Sequence, residues 1–155
     1  MKNTVLIFGT YDGLHPGHED FFRQAREHGD TLVVVVARDV TVLDVKGNLP
    51  ANSEQHRLNL LKDHPLIDDA RLGYPGDKYR IIEEIQPDVI FLGYDQEAFT
   101  DNLDAELVRR GLSATIHRGV SFFPETYKSS LLRGARVEEE ESYAEAEYEE
   151  NGLPI

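Results

Sequence analysis

Two histidines three residues apart, His15 and His18, follow a glycine-led turn, Gly9-Thr10-Tyr11-Asp12-Gly13, and have Gly17 between them. On the first turn of a helix an i, i+3 spacing sends both imidazoles out from one face. Two ring donors there suit an anion, and a phosphate chain is the anion such a turn can hold. Pro16 fits a first helical position, where its missing N–H would have had no partner. A helix start aimed at a crevice adds free N–H groups and a partial positive charge, worth about 0.3–1 kcal/mol to a nearby anion and up to about 2 when partly buried. Gly17 removes a side chain that would crowd the ligand, and Thr10 with the turn amides supplies further donors. A metal reading of the pair lacks a third ligand nearby. With no cysteine in the chain, thiolate nucleophiles, thiolate zinc sites and disulfides are excluded.

A parallel α/β framework is what would set such a turn at the end of a buried strand. Thr4 to Phe8 and Thr31 to Ala37 are continuous apolar, β-branched runs, the pattern of strands covered on both faces. Shorter runs at Ala70 to Leu72, Val89 to Leu92 and Ala114 to His117 follow segments that read as helix: His15 to Glu27, Ser53 to Lys62, Tyr79 to Ile85 and Glu97 to Arg110. The alternation predicts a single doubly wound, Rossmann-like, mostly parallel five-stranded sheet. Ligands of such sheets sit beyond the carboxyl ends of the strands, so the loops after Phe8, Ala37 and Leu92 are the informative ones.

Residues 1–136 read as that domain and 137–155 as an acidic C-terminal tail. Eight glutamates fall between Glu138 and Glu150, so of the formal charge of -13 the rest of the chain carries about -5. No basic stripe is present, which argues against nucleic acid and against a transfer-RNA synthetase fragment. No apolar run approaches the roughly 20 residues that span a bilayer, and the N-terminus lacks a signal-peptide layout, so the expectation is a cytoplasmic protein off the membrane.

Further candidates lie in loops. Lys46, in the stretch Asp44-Val45-Lys46-Gly47-Asn48, reads either as a solvated lysine or as a point charge for a bound anion. Ser129, Ser130 and Arg133 read as a capped short helix or a second anion site. Asp12 and Asp95 read as turn or capping carboxylates, or as ligand contacts.

Gly9 to His18 resembles the Gly-Thr-(Phe/Tyr)-Asp-x-x-His-x-Gly-His pattern of the cytidylyltransferase-like nucleotidyltransferases. Val36-Ala37-Arg38-Asp39, Lys46-Gly47, Glu54-Gln55-His56-Arg57 and Leu66 to Ala70 resemble later blocks of that superfamily. Leu92-Gly93-Tyr94-Asp95-Gln96 is especially similar to archaeal-type FAD synthases, and Lys128 to Arg133 resembles the closing Ser-Thr-Thr-x-Ile-Arg block. The likeness covers roughly residues 4–136. It implies a nucleoside triphosphate, ATP or CTP, carried with Mg2+, and a phosphorylated small-molecule acceptor that attacks the α-phosphorus. FMN adenylylation is the leading subclass. A cytidylyltransferase for glycerol 3-phosphate or another phosphorylated alcohol or sugar is the alternative, and a non-catalytic nucleotide-binding regulator is a third reading. By the resemblance, His15, His18, Lys46 and Arg133 are catalytic. Gly9, Thr10, Tyr11, Asp12, Gly17, Gly93, Asp95, Ser129 and Ser130 bind nucleotide, and Asp39, Arg57 and Gln96 contact substrate. It also implies a homodimer. The chain departs from the pattern at Lys128, where cytidylyltransferases usually have serine, and at Pro65, where glycerol-3-phosphate cytidylyltransferase has a functional arginine. It also lacks the C-terminal cysteines of archaeal FAD synthases.

Overall fold

The structure, a computed structural model, describes residues 3–94, 96 and 100–120. In chain order its elements are β1 (Thr4–Gly9), α1 (Pro16–Arg26), β2 (Thr31–Val36), α2 (Asp39–Lys46), α3 (Glu54–Lys62), β3 (Asp69–Leu72), α4 (Arg80–Ile85), β4 (Val89–Leu92), α5 (Leu103–Arg109) and β5 (Thr115–Arg118). A short 3-10 turn, Thr100–Asn102, precedes α5.

All five strands are parallel, in the order β3-β2-β1-β4-β5. From β1 the chain builds outward through β2 and β3, then crosses back to lay β4 and β5 on the other side. The order therefore reverses between β1 and β4, and a crevice opens there beyond their carboxyl ends. β1 and β2 are in register from Thr4 opposite Thr31 to Gly9 opposite Val36.

The absence of polar alternation in β1 and β2 follows from burial on both faces. Val5, Ile7, Val34 and Val36 pack with Phe22 and Ala25 of α1 and with Leu58 and Leu61 of α3. Leu6, Phe8, Val33 and Val35 pack on the opposite face with Ile81 and Ile82 of α4 and Leu103 and Leu107 of α5. Each Val, Leu, Ile or Phe side chain among them, removed from water, contributes about 1.5–3 kcal/mol.

Helix α2 is the element the sequence reading passes over. Val40, Thr41, Val42 and Val45 are β-branched and lose side-chain freedom in a helix. Only Thr41 and Val42 are buried to compensate. The helix stops at Gly47, which takes a left-handed φ of 83° and returns its N–H to Leu43 O at 2.8 Å.

On the α4–α5 face, Arg110 gathers three carboxylates: Glu106 at 2.9 Å, Asp77 at 3.0 Å, and Glu83. Hydrogen bonds from Arg109 and then Arg110 hold the Glu106 carboxyl down at about 2, from an ordinary 4.5. A carboxyl lowered in the folded state stabilises the fold above its unfolded pKa and loses that contribution as pH falls toward the folded one. Thermal melts between pH 5 and pH 2 are expected to show a shallower acid slope for Glu106→Gln than for the parent chain, and equal slopes would contradict the linkage.

Candidate active site

Strand β1 delivers its last residues to the crevice, and the loop from Thr10 to His15 turns the chain into α1. His15 is the N-cap residue of α1, in an extended conformation, and its Nδ1 accepts from the Gly17 N–H at 3.0 Å. His18, three residues on, returns the favour: its Nδ1 accepts from the His15 N–H at 3.1 Å. The two histidines thus form a reciprocal capping box, a device ordinarily built from a hydroxyl or amide and a Glu or Gln. Their rings lie 3.9 Å apart between centroids.

This arrangement fixes the tautomers. An Nδ1 that accepts from an amide carries no proton, so each neutral ring holds its proton on Nε2. The donor atom of each ring is therefore Nε2, and both side chains are buried, His15 6% and His18 3% exposed. The amides of the helix start are spent locally, contrary to the sequence expectation: Gly17 N–H goes to the His15 ring, and the N–H groups of His18 and Glu19 go to His15 O at 2.9 and 3.2 Å. Pro16 has none. What the helix start keeps for an anion is its partial positive charge.

Tyr11 lies under this turn, facing inward. It is 1% exposed, its hydroxyl donates to Phe8 O at 3.3 Å, and burial pushes its phenol up. Its ring meets the edge of His18 at 5.4 Å and Phe22 at 5.7 Å. A side chain at Gly9 would strike that ring, since a Cβ there would lie 2.5 Å from Tyr11 Cε2 and Cζ. Gly9 makes room for tyrosine, and Tyr11 sets the floor beneath His18.

Other carboxylates and amides named from the sequence hold the loops together. Asp12 accepts from the N–H groups of Ala51 (2.6 Å) and Asn52 (2.8 Å) and from the Asn52 amide (2.9 Å). Asp39, at the start of α2, accepts from Arg57 Nη2 at 2.6 Å. Arg57 itself is 0% exposed. Gln96, 1% exposed, accepts from the Gly93 N–H at 2.8 Å and donates to Phe8 O at 3.4 Å, joining the β1 and β4 loops across the crevice. Thr10 is buried beside them. Lys46 is the last residue of α2 and half-buried, so its place is a helix end rather than a loop. Asp95, Lys128, Ser129, Ser130, Arg133 and the tail at 137–155 lie outside the described residues.

Several residues that hold the loops are not among the site residues named from the sequence. Arg38 donates to Gly73 O at 2.7 Å and pairs with Glu54, whose other oxygen accepts from the Asp39 N–H at 2.8 Å. Arg118 of β5 donates to Gly93 O at 2.9 Å and Gln96 O at 2.7 Å. His64 accepts from the Leu66 N–H and donates through Nε2 to Glu19 at 2.5 Å, which fixes the first turn of α1 against the end of α3. Beside that turn is a cleft of about 380 Å³ lined by Leu14, His15, Pro16, Glu19 and Arg23.

Comparison with known proteins fits this geometry. The cytidylyltransferase-like family model matches residues 6–139. An FAD synthase of Methanosarcina barkeri is 44% identical over 114 residues, 74% of this chain and 81% of that protein. One from Thermococcus sibiricus is 36% identical over 88% of this chain and 90% of its own length. Among solved structures, a lipopolysaccharide core biosynthesis protein from Thermoplasma volcanium superposes with a TM-score of 0.74 at 35% identity, covering 79% of this chain and 99% of that one.

Proposed function

This chain belongs to the cytidylyltransferase-like family and is a nucleotidyltransferase, and we propose that its reaction is adenylyl transfer from ATP to FMN, giving FAD and pyrophosphate. The observation that carries the catalytic reading is the reciprocal histidine cap, which uses Nδ1 of both rings as acceptors and so leaves the proton of each neutral imidazole on Nε2 at the start of α1. The FAD synthase relatives, matched over most of both chains, support the choice of acceptor.

In this reading a phosphate oxygen of FMN attacks the α-phosphorus of ATP in line. The new P–O bond forms as the bond from the α-phosphorus to the bridging oxygen breaks, and pyrophosphate leaves with that electron pair. The acceptor phosphate is already ionised, so no general base is required. His15 and His18 donate to phosphate oxygens as charge builds, and their fixed tautomers mean that no proton must first be rearranged. Lys46 contributes a point charge from the end of α2, and Ser129, Ser130 and Arg133 a second phosphate contact. Gly9, Tyr11, Asp12, Asp39, Arg57 and Gln96 act by shaping the loops.

The family implies a divalent cation, Mg2+, that travels with the triphosphate. The donor set suits that division of labour: Nδ1 of both histidines is taken up by backbone N–H groups, and Asp12 is engaged with three amide hydrogens. Among the described residues no group of three or more His, Asp or Glu is placed to hold a metal. The nucleotide's own oxygens would hold the cation, which supplies charge neutralisation. We assign residues 1–136 to the transferase domain and 137–155 to an acidic tail, and place the protein in the cytoplasm as a homodimer that binds no nucleic acid. No helix among the described residues is long and apolar enough to cross a membrane.

Side-by-side assays test the assignment. Pyrophosphate release and FAD formation are expected with ATP plus FMN, and no turnover above background with CTP plus glycerol 3-phosphate. Faster turnover of the second pair would overturn the choice of nucleotide and acceptor. Tight ATP binding with no pyrophosphate from any phosphorylated acceptor would overturn the catalytic reading.

A further inference from the structure

The backbone ladder between β1 and β2 ends where the Ala37 N–H meets Gly9 O at 3.0 Å. Beyond that point one side chain continues it. The Arg57 guanidinium donates through Nη1 to Thr10 O and to Ala37 O, both at 2.8 Å. Its Nε donates to Asn52 O at 3.0 Å, and its Nη2 to Asp39 Oδ1 at 2.6 Å. Asn52 in turn holds Asp12 through its backbone and side-chain N–H groups. The turn that leads into the histidines is therefore gripped on both sides of Tyr11, at Thr10 and at Asp12, and each grip runs back to Arg57.

A buried arginine is a poor choice if stability is the only demand. Its desolvation offsets much of what its ion pair returns, and a well-packed apolar side chain of the same volume often does as well or better. The planar fork does something no apolar group can: it fixes four acceptors, from three stretches of chain, at set distances and angles. Two of those stretches, after β1 and after β2, border the crevice. In-line transfer loses about two orders of magnitude for a misplacement of roughly 1 Å.

Resting on the transferase reading above, we propose that Arg57 is a positioning residue for the reaction: it sets the separation between the histidine-bearing turn and the β2–α2 loop without touching either substrate. Its Nε, Nη1 and Nη2 all donate to acceptors of the protein itself, and the side chain is 0% exposed. Its loss changes how the reacting groups face one another while leaving the donors that bind them in place.

Arg57→Lys keeps the charge opposite Asp39 but offers a single point where four acceptors are spread around a fork. The expected result is a fall in kcat of about tenfold, with KM for ATP and for FMN within about threefold and a full stoichiometry of ATP bound per chain by calorimetry. Unchanged kcat overturns the proposal. So does a rise in KM at constant kcat, which would make the group a substrate contact, and so does a fall in kcat matched by an equal loss of binding stoichiometry, which would make it structural only. Should the lysine variant not fold, Asp39→Asn, which keeps an acceptor for Nη2 but removes the charge that orients it, is expected to lower kcat about threefold at constant KM. No change in kcat there also overturns the proposal. If the parent protein ignores FMN but joins ATP to another acceptor, the FMN reading fails and the same split is read on that acceptor, so the two ideas fall separately.

Discussion

His15→Asn is expected to melt at or above the parent temperature and to turn over about 100- to 1000-fold more slowly. Asparagine is among the best N-cap residues, and its Oδ1 takes the place of Nδ1 in accepting the Gly17 N–H. What it cannot supply is a donor where His15 holds Nε2–H. The same separation works at position 18, where glutamine is the usual third residue of a capping box and can accept the His15 N–H through Oε1. His18→Gln should therefore keep the helix start and lose activity to a similar extent, while His18→Ala gives up both. Removal of one preorganised donor to a developing negative charge costs about 2.7–4 kcal/mol in the transition state, which is the stated range of rates. For capping alone Asn and Gln serve better than His, so a helix start built from two histidines is explained by what the far side of each ring does. Activity within tenfold of the parent in either conservative variant, or a collapse in melting temperature alongside the lost activity, would defeat this account.

The histidine pair was legible because its signal is local: spacing, a glycine-led turn and a preceding apolar strand all lie within fifteen residues. The strands were legible for a similar reason, since burial on both faces leaves runs such as Leu32 to Val36 without polar interruption. Helix α2 was not. Its valines and threonine favour extended backbone, and it forms because tertiary packing of Thr41 and Val42, with a left-handed stop at Gly47, outweighs propensity. Arg57, Asp39, Asp12 and Gln96 could be named from the family pattern, but the partners of their side chains could not be read from it. Arg57 binds residues 5, 18, 20 and 47 positions away in sequence, and Gln96 reaches 88 positions back to Phe8. Such partners are brought together only by the order of strands at the switch point. A polar residue in a family motif therefore has two explanations, contact with the ligand or support of the loop that makes the contact, and only the folded chain separates them.

The same logic makes the smallest residue of the motif the most informative. Gly9 has no left-handed φ, so its backbone alone would accept alanine. The Tyr11 ring would not, because the added Cβ would meet two ring carbons at 2.5 Å, about 1 Å inside ordinary contact. Tyr11 has little freedom to yield: it is buried, tied to Phe8 O, and already held at a left-handed φ of 54°. Gly9→Ala is expected to cost about 1–3 kcal/mol in denaturant unfolding. It should also lower kcat about 100-fold, because the ring that must move by roughly 1 Å is the one against which His18 rests. A second substitution tells this mechanism from a general loss of backbone freedom. In a Tyr11→Leu background the distal ring atoms are gone, so Gly9→Ala should cost nothing further or stabilise slightly, giving a coupling of about 1–3 kcal/mol between neighbours. Additive losses in the double variant would mean that glycine is needed at position 9 for some reason other than the tyrosine, and the floor beneath His18 would have to be sought elsewhere.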